Sequence, residues 1–336
     1  MNVLLVTSWN TPCGIADHSQ QLIDAVRAAD PTIQITPSAE ALDPQIAFNL
    51  PTPDVLVLNY HRALHSRWTP ERVQEYRMGN YGMTVGRPLV KIVIIFHDTY
   101  GESEPDQLTK DLCELADAFI VHEPCVGLPQ AIYWRQGVPA PARSPGEYGV
   151  GRGVRYCFKR YHQQPVLGTC GFNFPWKNYD HLAEVSHACG WGLVICSNNA
   201  TEEDEARWTR LNPDSYIVRG FLRSEEIVQF LSGCDATIFA YECANSGTSG
   251  AIRLGLAARK PLIAWQGCRQ FRDLLYGPDQ GAMAIRWCQD FYRLPETLRR
   301  ISIQRCDPGI VALAERDSWV HLGQRYAELF RRVVSQ

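Results

Sequence analysis

The sequence predicts an α/β protein made of two doubly wound parallel sheets. Three observations carry that expectation. Short apolar runs recur along the chain, the pattern of strands buried on both faces. Segments with apolar residues at helical spacing alternate with them. A stretch dominated by Pro, Gly and Arg, PAPARSPGEYGVGRGVRY from Pro139 onward, separates two such series and marks a domain boundary.

The first series opens with the strand NVLLV and the loop TSWNTPCG. The helix IADHSQQLIDAVRAAD follows, with Ile15, Leu22, Ile23 and Val26 on one face. Strands come next at 54–60 (DVLVLNY) and 91–98 (KIVIIFHD), then a helix at 108–116 and a strand at 118–122. The second series runs PVLGTCGF, NYDHLAEVSHACG, WGLVICS, EEDEARWTRL, SYIVRGF, RSEEIVQFLSGC and DATIFAY, alternately strand and helix. ANSGTSGAIRLGLAARKPLIAW, 244–265, then reads as loop, helix and strand. The end, RDSWVHLGQRYAELFRRVV, is an amphipathic helix with Trp319, Leu322, Tyr326 and Phe330 on one stripe. Ligands of such sheets bind beyond the carboxyl ends of strands, which points to the loops after residues 7, 60, 97, 122, 172, 197 and 241.

A chain of 336 residues is comfortable for two domains. The net charge of −3 gives no broad electrostatic reason to bind nucleic acid. Arg299, Arg300, Arg305, Arg331 and Arg332 suit solvated helix faces; contact with anionic lipid is the other use of such a cluster, and no further feature supports it. MNVLLVTSWN has no basic leader, and no apolar run is long enough to span a bilayer. A cytoplasmic location is therefore expected, with the twelve cysteines, none in a CxxC pair, reduced.

Gly247, Thr248, Ser249 and Gly250 place several amides and hydroxyls at one helix start, with Arg253 in its first turn. Capping needs a single Ser or Thr. The surplus, with glycines that let a ligand come close, points to an anion at the positive helix end. Arg253 either reaches that anion or forms a surface ion pair. His97 ends an apolar strand and either enters a cleft or is a hydrogen-bonded core histidine; Asp98 beside it would orient it or bind acceptor hydroxyls. Asp17 either complements the first helix dipole or binds an acceptor hydroxyl, and His18 reads as a surface residue. His61 and His65 are spaced as zinc ligands on a helix can be, but no third ligand accompanies them, so no metal site is expected. Tyr60, His61 and Arg62 are read as acceptor-facing loop residues, and His122 and Glu123 as weaker candidates of that kind.

The segments PCGIADHSQQL, IIFHDTY, GFNFPWKNYDHL, FLRSEEIVQFLSGCDATIFAYE and SGAIRLGLAARKPLIA occur in the order found in GT-B glycosyltransferases. They most resemble the retaining enzymes of glycosyltransferase family 4. The resemblance implies two Rossmann-like domains facing a cleft, 1–160 on the acceptor side and 161–315 holding the donor, with a helix at 316–336 packing back on the first. It implies a UDP-, GDP- or ADP-linked sugar as donor, a carbohydrate, lipid or protein hydroxyl as acceptor, and no required cofactor. Lys177 stands where the family places a phosphate-binding lysine; a surface lysine at a helix start is the plainer reading. Gly14 matches a glycine that approaches the diphosphate or acceptor, and His97 a histidine that contacts the transferred sugar. No DxD carboxylate pair is present, since EDE at 203–205 reads as a solvated helix face, so protein cations must balance the diphosphate. The family's pair of glutamates is replaced by Ser246 and Leu254. Glu242 either folds back into the first glutamate's place or is a plain strand-end acid. An arginine usual before the lysine is also missing, which leaves Arg253 or Arg219 to substitute. A non-catalytic nucleotide- or glycan-binding module on the same shell is the alternative.

Overall fold

A computed structural model of the chain describes residues 1–336 apart from 12, 83–88, 98–104, 123–126, 129, 143–163, 243–247, 276–280, 302, 304 and 305, and apart from the side chains of 79–82, 281 and 282. The chain divides into two compact units, one of Met1–Gly137, Ser246–Thr248 and Trp319–Gln336, the other of Val138–Asn245 and Ser249–Ser318. The boundary expected at 160 falls in a stretch outside the described residues.

The first unit holds a six-stranded parallel sheet in the order β2-β1-β3-β4-β5-β6. Its strands are β1 (Asn2–Val6), β2 (Gln34–Ser38), β3 (Val55–Tyr60), β4 (Lys91–Phe96), β5 (Ala118–Val121) and β6 (Ile132–Tyr133). The helices are α1 (Gly14–Ala29), α2 (Pro70–Gly82) and α3 (Gln107–Leu115). The pleat explains why the strands read as unbroken apolar runs. Val3, Leu5, Val55, Val57, Val93 and Ile95 face one side and pack with Leu22, Ile23 and Val26 of α1. Leu4, Val6, Leu56, Leu58, Ile92 and Ile94 face the other and pack with Trp68, Tyr76 and Leu112.

The second unit holds a second parallel sheet in the order β12-β11-β10-β7-β8-β9. Its strands are β7 (Val166–Cys170), β8 (Gly192–Ser197), β9 (Ser215–Arg219), β10 (Ala236–Phe239), β11 (Leu262–Trp265) and β12 (Arg286–Cys288). Its helices include α4 (Tyr179–Ala188), α5 (Glu202–Leu211), α6 (Ser224–Gly233), α7 (Gly250–Ala257), α8 (Arg272–Leu275), α9 (Leu294–Arg300) and α10 (Pro308–Arg316). One core joins Leu167, Leu193, Ile195, Trp208, Ile238 and Ile263. The acidic run at 203–205 lies in the first turn of α5, where Thr201 and Asp204 form a reciprocal capping box. Helix α7 lies hard against β10: a Cβ on Gly255 would meet the Phe239 ring at 2.3 Å.

The closing helix, α11 (Trp319–Ser335), belongs to the first unit. Leu322, Tyr326, Phe330 and Val333 share the core that α1 covers. At Gly323 a Cβ would stand 2.4 Å from the Ala25 carbonyl oxygen, so only glycine permits this helix–helix approach. Arg331 Nε donates to Asp30 Oδ2 at 2.7 Å. The Thr32 hydroxyl foremost, and Arg331 with it, hold the Asp30 carboxyl below its ordinary value. Among the described residues no helix is long and apolar enough to cross a membrane, and the described cysteines are free thiols.

Candidate functional site

In the second unit the chain leaves β7, winds through β8 and β9 to one side, and returns to β10 on the other. The crevice of such a sheet opens where the winding reverses, beyond the carboxyl ends of β7 and β10. Gly171, just past β7, has φ +121, a conformation that favours glycine. A short 3-10 turn, Pro175–Lys177, leads through Asn178 at φ 54 into α4. That turn carries the Lys177 side chain back over the strand ends, where it is 6% exposed. Its Nζ donates to the Tyr241 hydroxyl at 3.1 Å and stands 4.5 Å from the ring centroid. Tyr241 in turn donates to the Cys170 carbonyl at 2.9 Å, and the Tyr179 hydroxyl donates to that of Gly171 at 3.3 Å. Burial pushes both phenols well above their ordinary value, so both remain protonated donors.

The N-terminus of α7 meets the same place. A Cβ built on Gly171 would lie 2.0 Å from Lys177 Nζ and 3.4 Å from Ala251 Cβ. Ser249 is the buried N-cap of α7, yet its side chain makes no capping bond. The Gly250 Cβ position has nothing described within 4 Å, and the Ser249 N–H donates to the Gln270 carbonyl at 3.2 Å. Thr248 Oγ1 is buried without a hydrogen-bond partner. Gly171→Ala is expected to destabilise the second unit by about 1–3 kcal/mol through backbone strain and to weaken anion binding by displacing the ammonium. Urea unfolding and nucleotide titration of the variant check both; unchanged values in both remove Gly171 from the site.

Other residues of this unit fall differently. Arg253 faces the core, where it is 1% exposed and ion-paired with Asp273 of α8, itself fully buried. The sequence expected it at an anion or in a surface pair; instead the helical period places it with Ile252 and Leu256 against the sheet, and the carboxylate answers its charge. Arg219, on the edge strand β9, pairs with Glu202 and Glu205. Glu242 is exposed, and its backbone N–H donates to the Trp176 carbonyl at 2.8 Å, which ties it beside the Lys177 turn. Leu254 is half-buried, while Ser246 and Gly247 lie outside the described residues. Trp176 stacks on Phe174 at 4.5 Å between centroids.

In the first unit the winding reverses between β1 and β3. Asn59 Nδ2 donates to Ser19 Oγ at 2.7 Å, and the Thr7 and Ser19 hydroxyls are 2.6 Å apart. Asn59 Oδ1 then accepts from His97 Nε2 at 2.5 Å. The His97 ring is buried between His18 and His122, with centroids 4.6 and 5.1 Å away. Burial first, and then the neighbouring histidines, hold His97 and His18 well below their ordinary value, in the neutral form.

His18 is thus no surface residue: it stands three after Ile15 and four before Leu22, on the inward stripe of α1, and that spacing was the signal to find it. Tyr60 is no loop residue either. It closes β3 and is buried against Phe96 and His65, because the strand continues to the sheet edge. His61 is half-buried, and its pairing with His65 comes in a turn, not on a helix face; His65 Nε2 meets the Val6 carbonyl at 3.2 Å. Arg62 pairs with Asp106. Cys13, not Asp17, caps α1, and Asp17 accepts from Gln21 at 2.7 Å. Gly14 is exposed, with nothing described within 4 Å of a Cβ there. Trp134 packs edge-on against Tyr326. Asp98 and Glu123 lie outside the described residues.

No protein-family model matches the chain, and no curated protein matches it by sequence. Solved structures match it in fold over nearly its whole length. HepE of Anabaena, crystallised with UDP and glucose, is 13% identical with a TM-score of 0.62, covering 99% of this chain and 100% of its own. Sucrose-phosphate synthase of Thermosynechococcus elongatus is 13% identical with a TM-score of 0.64, covering 100% of this chain and 99% of its own. A glycosyltransferase involved in avilamycin A biosynthesis is 14% identical with a TM-score of 0.57, covering 99% and 98%. At such identities the likeness is one of fold.

Proposed function

From the two-domain α/β fold it shares with GT-B glycosyltransferases, we propose that this protein moves a sugar from a nucleoside diphosphate donor to an acceptor hydroxyl, with retention of configuration and with no divalent ion on the diphosphate. The observation that supports this reading most is the Lys177 ammonium beside the N-terminus of α7, at the switch point of the second sheet. A departing diphosphate gains charge as the glycosidic bond breaks. A fixed cation and aimed backbone N–H groups therefore stabilise the transition state more than the bound substrate. Lys177, Thr248, Ser249 and Gly250 are assigned to the diphosphate, and Glu242 to the donor sugar.

Asp17, His61 and Asp98 are assigned to the acceptor side, and Gly14 to the approach of the diphosphate or acceptor that the resemblance implies. The His97 ring is enclosed, and we give it the part of holding its strand end in place. The donor is a UDP-, GDP- or ADP-linked sugar; that HepE was crystallised with UDP and glucose makes UDP the first base to test. The acceptor is a carbohydrate, lipid or protein hydroxyl.

A second reading, a nucleotide- or glycan-binding module without turnover, is favoured by one observation: Arg253 and Arg219 are both engaged by carboxylates. A thermal-shift screen against UDP, GDP, ADP and their sugars, followed by donor consumption with a chelator present, separates the two. The transferase reading expects one nucleotide to raise the melting temperature and its sugar to be consumed, however slowly. Binding without consumption supports the module, and no binding at all removes the transferase reading and the nucleotide-binding form of the module.

A further inference from the structure

The switch point of the first sheet holds a cluster that sugar transfer leaves unexplained. His18 of α1, His97 after β4 and His122 after β5 each bring a ring nitrogen within 4.8 Å of the others, and all three are buried. Two of the rings are oriented from outside the cluster. A carbonyl oxygen only accepts, so the 2.8 Å contact of His122 Nδ1 with Trp134 O fixes the proton on Nδ1 and the lone pair on Nε2. The Asn59 amide, whose Nδ2 donates to Ser19, fixes the proton of His97 on Nε2 and leaves the lone pair on Nδ1. The third ring, His18, has both nitrogens buried and neither in a hydrogen bond. Imidazoles that bind metal characteristically donate their other N–H to a carbonyl or similar acceptor, which sets tautomer and aim together.

We propose that His18, His97 and His122 form a binding site for a divalent transition-metal ion of the zinc type within the first unit. Three neutral nitrogen donors suit Zn2+ or Co2+ and disfavour Mg2+ and Ca2+, which seek oxygen. Three protein ligands leave a fourth position for water or an anion. The Trp319 indole, 5.0 Å from the His18 ring between centroids, has its Nε1–H buried without an acceptor, and an oxygen completing the coordination is the kind of partner it lacks. The three residues are widely spaced in sequence, and no ligand motif announces them. The ion would sit on imidazoles and not on phosphate oxygens, so the proposal stands or falls independently of sugar transfer.

The full-length protein, stripped with a chelator and dialysed, is titrated separately with Zn2+, Co2+ and Mg2+. The expected result is a single equivalent of zinc by elemental analysis, a tetrahedral cobalt absorption that zinc displaces, and no uptake of magnesium. His18→Gln and His122→Gln should each lower zinc affinity by about 100-fold or more, and Asn59→Ala, which spares the ligands, by about 10–100-fold. His187→Gln, on an exposed face of α4, should change nothing. Cobalt absorption that persists in both ligand variants, or that is lost in His187→Gln, overturns the proposal. Should the ligand variants not fold, anomalous diffraction of zinc-soaked wild-type crystals decides: a peak among the three rings supports the site, and waters alone or a peak elsewhere refute it.

Discussion

Lys177→Met is expected to lower turnover of a nucleoside diphosphate sugar by about two to three orders of magnitude, the loss typical of removing one preorganised stabiliser of a developing anion. Methionine keeps most of the apolar stem of the side chain, while the ammonium is lost together with its hydrogen bond to the Tyr241 hydroxyl and its contact with the ring. The protein should melt at or above the wild-type temperature, because a buried ammonium bears a desolvation cost that the thioether does not. The decline should fall on kcat more than on KM, since the cation acts most strongly once the phosphate charge has developed. Steady-state kinetics beside a melting curve read all three. An unchanged kcat in the folded variant removes Lys177 from the chemistry.

Asp273→Ala should produce the largest loss of stability. The carboxylate is fully buried and answers a guanidinium that is itself 1% exposed. Removing one partner of such a pair typically costs about 3–5 kcal/mol, because the remaining charge has left water without compensation. The double variant Arg253→Met with Asp273→Leu should recover most of that loss. Urea unfolding, followed by a probe in the second unit such as Trp208 fluorescence, checks the pair. A loss below about 1 kcal/mol in the single variant would mean that the ion pair is no part of what holds α7 to α8.

These two residues also show how much could be read in advance. The strands at β1, β3, β4 and β7 were legible because both faces are covered, so most positions are apolar. Edge strand β2 was not: it is half-exposed and carries Thr36 and Pro37, so neither continuity nor alternation marks it. Helix α2 was missed for a similar reason, its outer face being nearly all polar. Lys177 was singled out through the order of segments around it, and the structure buries it beside the strand ends. The pairing of Arg253 was not found, since a positive charge at a helix start reads the same whether it faces a ligand or a carboxylate twenty residues on. The histidine cluster escaped because its members come from a helix and two strand ends, and only the winding of the sheet brings them together.

The packing of α11 on α1 bears on how the chain is born. The apolar stripe of α1 leaves the ribosome before the whole second unit, and its covering helix only after it. The second unit has all its own strands by then and can consolidate first, while the first waits with Leu22 and Val26 uncovered until α11 emerges. A stall or premature stop near Asp317 would leave that surface permanently bare, a substrate for chaperones and proteases and not a slightly shortened protein.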